Sequence, residues 1–137
     1  MGHQPSAREA SREVHVEMNP IDLLRNLMIA ALVDDELAES ELALLENRRQ
    51  AWGVSAELFA QVLSEVEGGD RELTIPESLA HRHDLLAELV IMVAADGRLH
   101  KKEKKLLQSS TKQLGLKRAD LQRLIDEFVD DESDLVI

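Results

Sequence analysis

The sequence contains no cysteine and no tyrosine, and only one tryptophan, two phenylalanines and three prolines among 137 residues. The absence of cysteine excludes a disulfide framework, a thiolate metal site and a cysteine nucleophile. Because aromatic residues are so few, the core has to consist of Leu, Ile, Val, Ala and Met. These residues, together with abundant Glu, Lys and Arg, favour helices. We therefore expect an all-α protein with an aliphatic core.

Long apolar runs are also missing. The two longest are residues 27–33 and 89–95, with seven residues each, whereas a transmembrane helix needs about 20. The N-terminal residues lack the apolar stretch of a secretory signal peptide. We expect a cytoplasmic protein with no transmembrane segment.

Positive charge is scarce relative to negative charge: 16 Lys and Arg face 27 Asp and Glu, so the net charge is −11. Such a protein repels phosphates, which argues against a nucleic-acid partner and favours cations or basic protein surfaces. The sequence contains no Gly-rich phosphate loop, paired-histidine metal helix or catalytic-triad spacing. We therefore expect a protein that is not an enzyme.

Helix-starting and helix-ending residues divide the chain. Asn19 and Pro20 are typical of an N-cap and a first helical residue, Ser55 is a second N-cap, and Gly53 and Gly115 end helices. The predicted helices span residues 21–33, 39–51, 56–67, 76–95 (opened by Pro76), 101–114 and 117–129. Residues 1–18 are interpreted as a flexible arm, 19–129 as a single domain and 130–137 as an acidic tail with an apolar tip.

One half of this domain aligns with the other without a gap. Residues 23–54 match residues 85–116, with ten identities. Equivalent residues in the two stretches are separated by a constant number of positions, that from residue 23 to residue 85, and we call this separation the repeat offset. The predicted fold is therefore a duplicated helical-hairpin unit with pseudo-two-fold symmetry, with repeat one at residues 23–66 and repeat two at residues 85–128. A helix that is apolar all round is a buried one. The two apolar helices should thus be in contact at the centre, with Leu27, Ile29, Leu89 and Ile91 buried.

Each apolar run ends in an aspartate, and a glutamate follows seven residues later. Asp34 and Glu41 occupy these positions in repeat one, and Asp96 and Glu103 in repeat two. A glutamate at position N3 of the next helix can accept the N-cap N–H, which is a purely structural role. However, the partner Ser or Thr at the N-cap is missing, and an aspartate at a helix C-terminus opposes the macrodipole. Carboxylates beside free carbonyls also suit a hard cation, Ca²⁺ or Mg²⁺.

The two hairpins carry opposite charge. The acidic corner consists of Asp34, Asp35, Glu36, Glu39 and Glu41, and the basic corner of Arg98, Lys101, Lys102, Lys104 and Lys105. A weak divalent site is predicted at the acidic corner on Asp34, Asp35, Glu36 and Glu41, with Asp96 and Glu103 as the equivalent positions. The alternative is a protein partner or self-association, in which Arg98, Lys101, Lys102 and Lys105 contact an acidic surface and no metal binds. A solvated helix face is the simplest interpretation of the lysines.

Histidines near residue 81 suggest a transition-metal site at first glance. His81 and His83 are two residues apart on a predicted helix, so their imidazoles point in different directions. His81, Asp84 and His100 could share a site only if the fold brought them together. An exposed polar helix start is the preferred interpretation.

The motif Asp-Gly-x-Leu-x-x-x-Glu follows an apolar helix at residues 96–103, and residues 34–41 repeat it with Asp35 in place of the glycine. This duplication in an all-helical domain resembles the TerB-like tellurite-resistance family. The resemblance covers residues 21–128. It implies about seven helices and a role in the response to tellurite or other chemical or phage stress, by binding rather than catalysis. It also implies that a membrane-associated protein is a possible partner, because TerB-like domains occur in a membrane-anchored J-domain co-chaperone. The family's acidic positions fall on Asp34, Glu41, Asp96 and Glu103, and Asp35 departs from the family's usual glycine.

Overall fold

The computed structural model describes residues 19–95 and 99–129, and these residues form helices and loops with no strand. The all-α prediction is confirmed for this part of the chain. The helices are α1 (Pro20–Ala31), α2 (Glu39–Ala51), α3 (Ala56–Glu67), α4 (Leu79–Val93), α5 (Lys101–Gln113) and α6 (Arg118–Phe128). None of them is long and apolar enough to span a membrane. The predicted arm at residues 1–18, the acidic tail at 130–137, and Asp96 and Arg98 lie outside the described residues.

Local sequence signals set most helix boundaries. Asn19 Oδ1 accepts the Ile21 N–H at 2.7 Å and Ser55 Oγ accepts the Leu58 N–H at 3.1 Å, as N-caps do. Gly53 and Gly115 adopt left-handed φ values of 71° and 70°. There they end α2 and α5, since glycine takes this conformation without a steric penalty.

The predicted start of α4 at Pro76 is wrong. The helix begins at Leu79 because Ser78 Oγ accepts the His81 N–H at 3.1 Å and so caps the first turn. The Pro76 carbonyl instead accepts a hydrogen bond from Arg82 Nε at 2.8 Å. The helix also ends at Val93, two residues earlier than predicted.

The core lies around α1 and α4, which pack against each other and against the remaining helices. Leu27, Ile29 and Leu89 are buried, as predicted. Ile91 is only half-buried, which differs from the prediction. It faces a groove between α2, α4 and α6, so the apolar run of α4 is not covered on every side.

Helix boundaries in the two halves keep the spacing of the sequence repeat. Both ends of α2 and α5 differ by the repeat offset, and so do the last residues of α1 and α4. The first residues of α3 and α6 are separated by the same interval. The aligned sequences therefore form helices over matching stretches.

Residues 68–78 form a non-helical linker between α3 and α4, and a buried side chain of α1 holds it. Asn26 is fully buried; its Nδ2 donates to the Thr74 carbonyl and its Oδ1 accepts the Thr74 N–H, both at 2.9 Å. Leu73 and Ile75 of the linker pack against the core. The linker thus covers one side of α1.

Candidate functional site at the two hairpin corners

Glu41 of the acidic corner serves the start of its own helix. Its carboxyl is buried, with 4% of the residue exposed, and Oε1 accepts the Ala38 N–H at 2.9 Å. This is one of the two hydrogen bonds of a capping box. The other is missing, because Ala38 has no side-chain oxygen that could accept the N3 backbone N–H. The glutamate at N3 therefore has a structural role that the sequence spacing already indicated.

Glu103 has the same role in the second half. Only 2% of the residue is exposed, and Oε1 accepts the His100 N–H at 2.9 Å. A third helix start uses an aspartate: Asp120 Oδ2 accepts the Lys117 N–H at 3.0 Å. This backbone N–H lowers the pKa of Asp120 below its ordinary range, because a hydrogen bond to the charged form favours it.

Asp34 and Asp35 of the acidic corner have different contacts. Asp34 Oδ1 accepts the Glu36 N–H at 3.2 Å within the turn. Asp35 has a left-handed φ of 66°, which explains why a glycine would suit this position. Its side chain is 76% exposed.

An arginine from the linker supplies positive charge beside this turn. Arg71 Nη1 donates to the Leu32 carbonyl at 3.1 Å, and Nε donates to the Val66 carbonyl at 2.9 Å. Its Nη2 lies 3.5 Å from Asp35 Oδ1. Arg71 therefore places a cation at the C-terminal ends of α1 and α3, where the helix macrodipoles favour it. This guanidinium also offsets the charge of the neighbouring aspartate.

The described residues contain no preformed metal site, and the predicted cation site at the acidic corner stays a prediction. Residues 19–95 and 99–129 contain no group of three or more His, Asp or Glu side chains placed to hold one. This covers Asp34, Asp35, Glu36 and Glu41, and also the histidines near residue 81. Asp96 lies outside the described residues, so the equivalent position in repeat two stays a prediction.

The basic corner is formed by the first turns of α5. Lys101, Lys102 and Lys105 are exposed, whereas Lys104 is half-buried. Cations at a helix N-terminus oppose the macrodipole, at a cost of about 0.3–1 kcal/mol each when exposed. The helix therefore gains no stability from the charges of Lys101 and Lys102 in its first turn. Arg98, the remaining predicted member, lies outside the described residues.

Sequence reasoning missed a groove of about 490 Å³ between α2, α4 and α6. Leu44 and Asn47 line it from α2, Ile91 and Ala94 from α4, and Phe128 from α6. Phe128 is 39% exposed. No local pattern signals such a groove, because its walls come from three helices far apart in the sequence.

A smaller cavity of about 300 Å³ lies beside α5 and α6. Gln108 and Lys112 line it from α5, and Arg118 from the start of α6. No sequence motif indicated this cavity or the two cationic side chains, Lys112 and Arg118, that line it.

Comparisons with protein-family models, with curated proteins and with solved structures give no match to this chain. The TerB-like resemblance therefore depends on the two Asp-to-Glu hairpins and on the sequence repeat.

Proposed function

We propose that this protein is a non-catalytic, TerB-like stress-response adaptor that binds protein partners through its basic corner. The observation that carries this proposal is the exposure of Lys101, Lys102 and Lys105 at the N-terminal end of α5. Lys101 and Lys102 lie in the first turn of the helix, where a cation opposes the macrodipole, so the electrostatics of the helix do not account for them. An acidic protein surface would, because complementary charge steers association and sets its specificity.

The acidic corner is the natural complement of this surface. Asp35, Glu36 and Glu39 are exposed, whereas Glu41 is buried on the N-cap of α2. The exposed acidic side chains of one molecule can therefore face the lysines of another. Self-association through the two corners is one form of this proposal, and an acidic heterologous partner, free or membrane-associated, is the other.

We further propose that the fold is a duplicated helical-hairpin unit with pseudo-two-fold symmetry and about seven helices in all, as in the TerB-like family. The constant repeat offset between equivalent helix boundaries supports the duplication. Glu41 and Glu103 have the same capping role at equivalent positions, which supports the duplication as well. An experimental structure of the whole chain, superposed on itself about the α1–α4 contact, tests the symmetry.

Charge reversal tests the adaptor proposal. In the test variant Lys101, Lys102 and Lys105 are changed to Glu, and in the matched control Lys112, Lys117 and Arg118, which are also exposed, are changed to Glu. Both triple variants alter the net charge equally. Sedimentation velocity at low and high salt measures self-association, and affinity capture with each variant as bait measures binding of other proteins.

We expect the basic-corner variant to lose association and the control variant to keep it. High salt should weaken association of the wild-type protein in the same way, because salt screens exposed charges. Equal behaviour of the two triple variants would argue against a specific basic corner. A wild-type protein that stays monomeric and captures the same proteins as the basic-corner variant would overturn the proposal.

A further inference from the structure

The linker packs against α1, and this arrangement shows how the groove beside α4 can be filled. Arg71 contacts the Leu32 and Val66 carbonyls, and Thr74 is bonded to Asn26. The linker therefore runs antiparallel to α1, from its C-terminal end back towards its middle. Ile29 lies between these two attachments and is buried.

The equivalent positions in the second half line the groove. Ile29, Leu32 and Val66 correspond, by the repeat offset, to Ile91, Ala94 and Phe128, all of which border it. Val66 is 0% exposed and Phe128 is 39% exposed. The groove is thus the place where a second linker would lie, and its walls are more exposed than those in the first half.

The sequence supplies a matching segment. Residues 70–75 read DRELTI and residues 132–137 read ESDLVI, again separated by the repeat offset. Leucine and isoleucine are identical at the two apolar positions, Leu73 with Leu135 and Ile75 with Ile137. Acidic residues occupy the first and third positions of both segments. Leu73 and Ile75 are the linker residues that pack on the core.

The chain between the groove and this segment has the required length. Val129 is buried and directly follows Phe128 in the groove wall. The interval from Phe128 to Leu135 equals that from Val66 to Leu73, so no insertion or deletion separates the two arrangements.

We propose that residues 132–137 dock in the groove between α2, α4 and α6 of the same molecule, with Leu135 and Ile137 in the places that Leu73 and Ile75 take against α1. The polar anchors of the first half differ in the second. Glu88 replaces Asn26 and is held by Arg48 Nε at 2.9 Å, and Ser133 replaces Arg71. The docked segment therefore relies on its apolar side chains, and it is bound less firmly than the linker.

Cysteine pairs test the docking directly, because the chain has no cysteine of its own. In the full chain, Asp134→Cys, which keeps both apolar anchors, is combined with Ala43→Cys, which borders the groove. The matched control combines Asp134→Cys with Lys105→Cys, since Lys105 is the repeat equivalent of Ala43 and is likewise exposed. The rate of disulfide formation is measured at several protein concentrations.

We expect the Ala43 pair to form an intramolecular disulfide at least about tenfold faster than the control, because docking raises the effective concentration of the two thiols. Equal rates in the two pairs would overturn the proposal. Disulfides that form only between molecules, at a rate that rises with concentration, would also overturn it and would assign the groove to a second copy of the chain.

A second measurement needs no engineered thiol. In methyl-labelled protein, Leu135→Ser with Ile137→Ser should shift the methyl resonances of Ile91 and Leu44, which line the groove. Asp131→Ser with Asp134→Ser is the control in the same segment and should leave them in place. Unchanged Ile91 and Leu44 resonances in the first variant would argue against docking.

Discussion

Asn26 gives the most direct test of how this fold is held together. It lies in the middle of the apolar helix α1, is fully buried, and exchanges two hydrogen bonds of 2.9 Å with the backbone of Thr74. In Asn26→Ala the N–H and carbonyl of Thr74 lose these partners. Each buried polar group left unpaired costs about 1–3 kcal/mol, and Thr74 is half-buried. We therefore expect the free energy of unfolding to fall by about 2–4 kcal/mol.

The variant Asn26→Asp separates hydrogen bonding from packing. One carboxylate oxygen can still accept the Thr74 N–H, but the other faces the Thr74 carbonyl and cannot donate to it. The charged form is therefore disfavoured in the folded state, and the folded-state pKa of the new carboxyl lies above its unfolded value. Stability is then greatest below the unfolded pKa of about 3.9 and falls as the pH rises through the folded pKa.

Urea unfolding of both variants between pH 3.5 and pH 8 measures these effects, each curve being compared with wild type at the same pH. Glu88→Ala is the control, since Glu88 is the repeat equivalent of Asn26 and takes part in a partly exposed ion pair with Arg48. Such pairs contribute about 0–1 kcal/mol. A loss below about 1 kcal/mol for Asn26→Ala, or an Asn26→Asp variant whose deficit does not change with pH, would refute the role assigned to this side chain.

Three further predictions concern the core and the acidic corner. Leu89→Ala should lower the free energy of unfolding by about 2–5 kcal/mol, and Ile91→Ala by less because Ile91 is half-buried; equal losses in urea titrations would contradict the burial difference. Asp35→Gly should be about 1 kcal/mol more stable than Asp35→Ala, because the left-handed φ suits glycine while both changes remove the same carboxylate. Ca²⁺ or Mg²⁺ should raise the melting temperature no more than matched ionic strength; an additional rise that Asp34→Asn with Glu36→Gln abolishes would restore the cation site.

Local signals in the sequence were sufficient to predict that most of the helices exist and roughly where they begin and end. The bounds of α2 and α3 agree with those predicted, since Ser55 and Gly53 act on neighbouring residues only. The start of α4 was missed because two nearby residues, Pro76 and Ser78, could each begin a helix. The capping bond from Ser78 and the contact of Arg82 with the Pro76 carbonyl decide between them.

Contacts between distant residues could not be predicted in this way. In the sequence, Asn26 only interrupts a series of apolar residues. Its role becomes clear in the fold, where it is hydrogen-bonded to Thr74, 48 positions later in the chain. The half-burial of Ile91 follows from the packing of α2 and α6 against α4, which leaves a groove. Residue type predicts that a side chain prefers the core, but the neighbours that cover it are set by the whole fold.

The charged corners show that proximity along the chain does not fix the surroundings of each side chain. Five carboxylates lie within eight residues at the acidic corner, and three of them have different contacts in the fold. Glu41 is buried against the Ala38 N–H, Asp34 stabilises the turn, and Asp35 lies near Arg71. Lys101 and Lys102 are in the opposite situation, since they lie in the first turn of α5, where the helix end repels a cation. The charge that the fold leaves unexplained is therefore at the basic corner, and a partner should be sought there first.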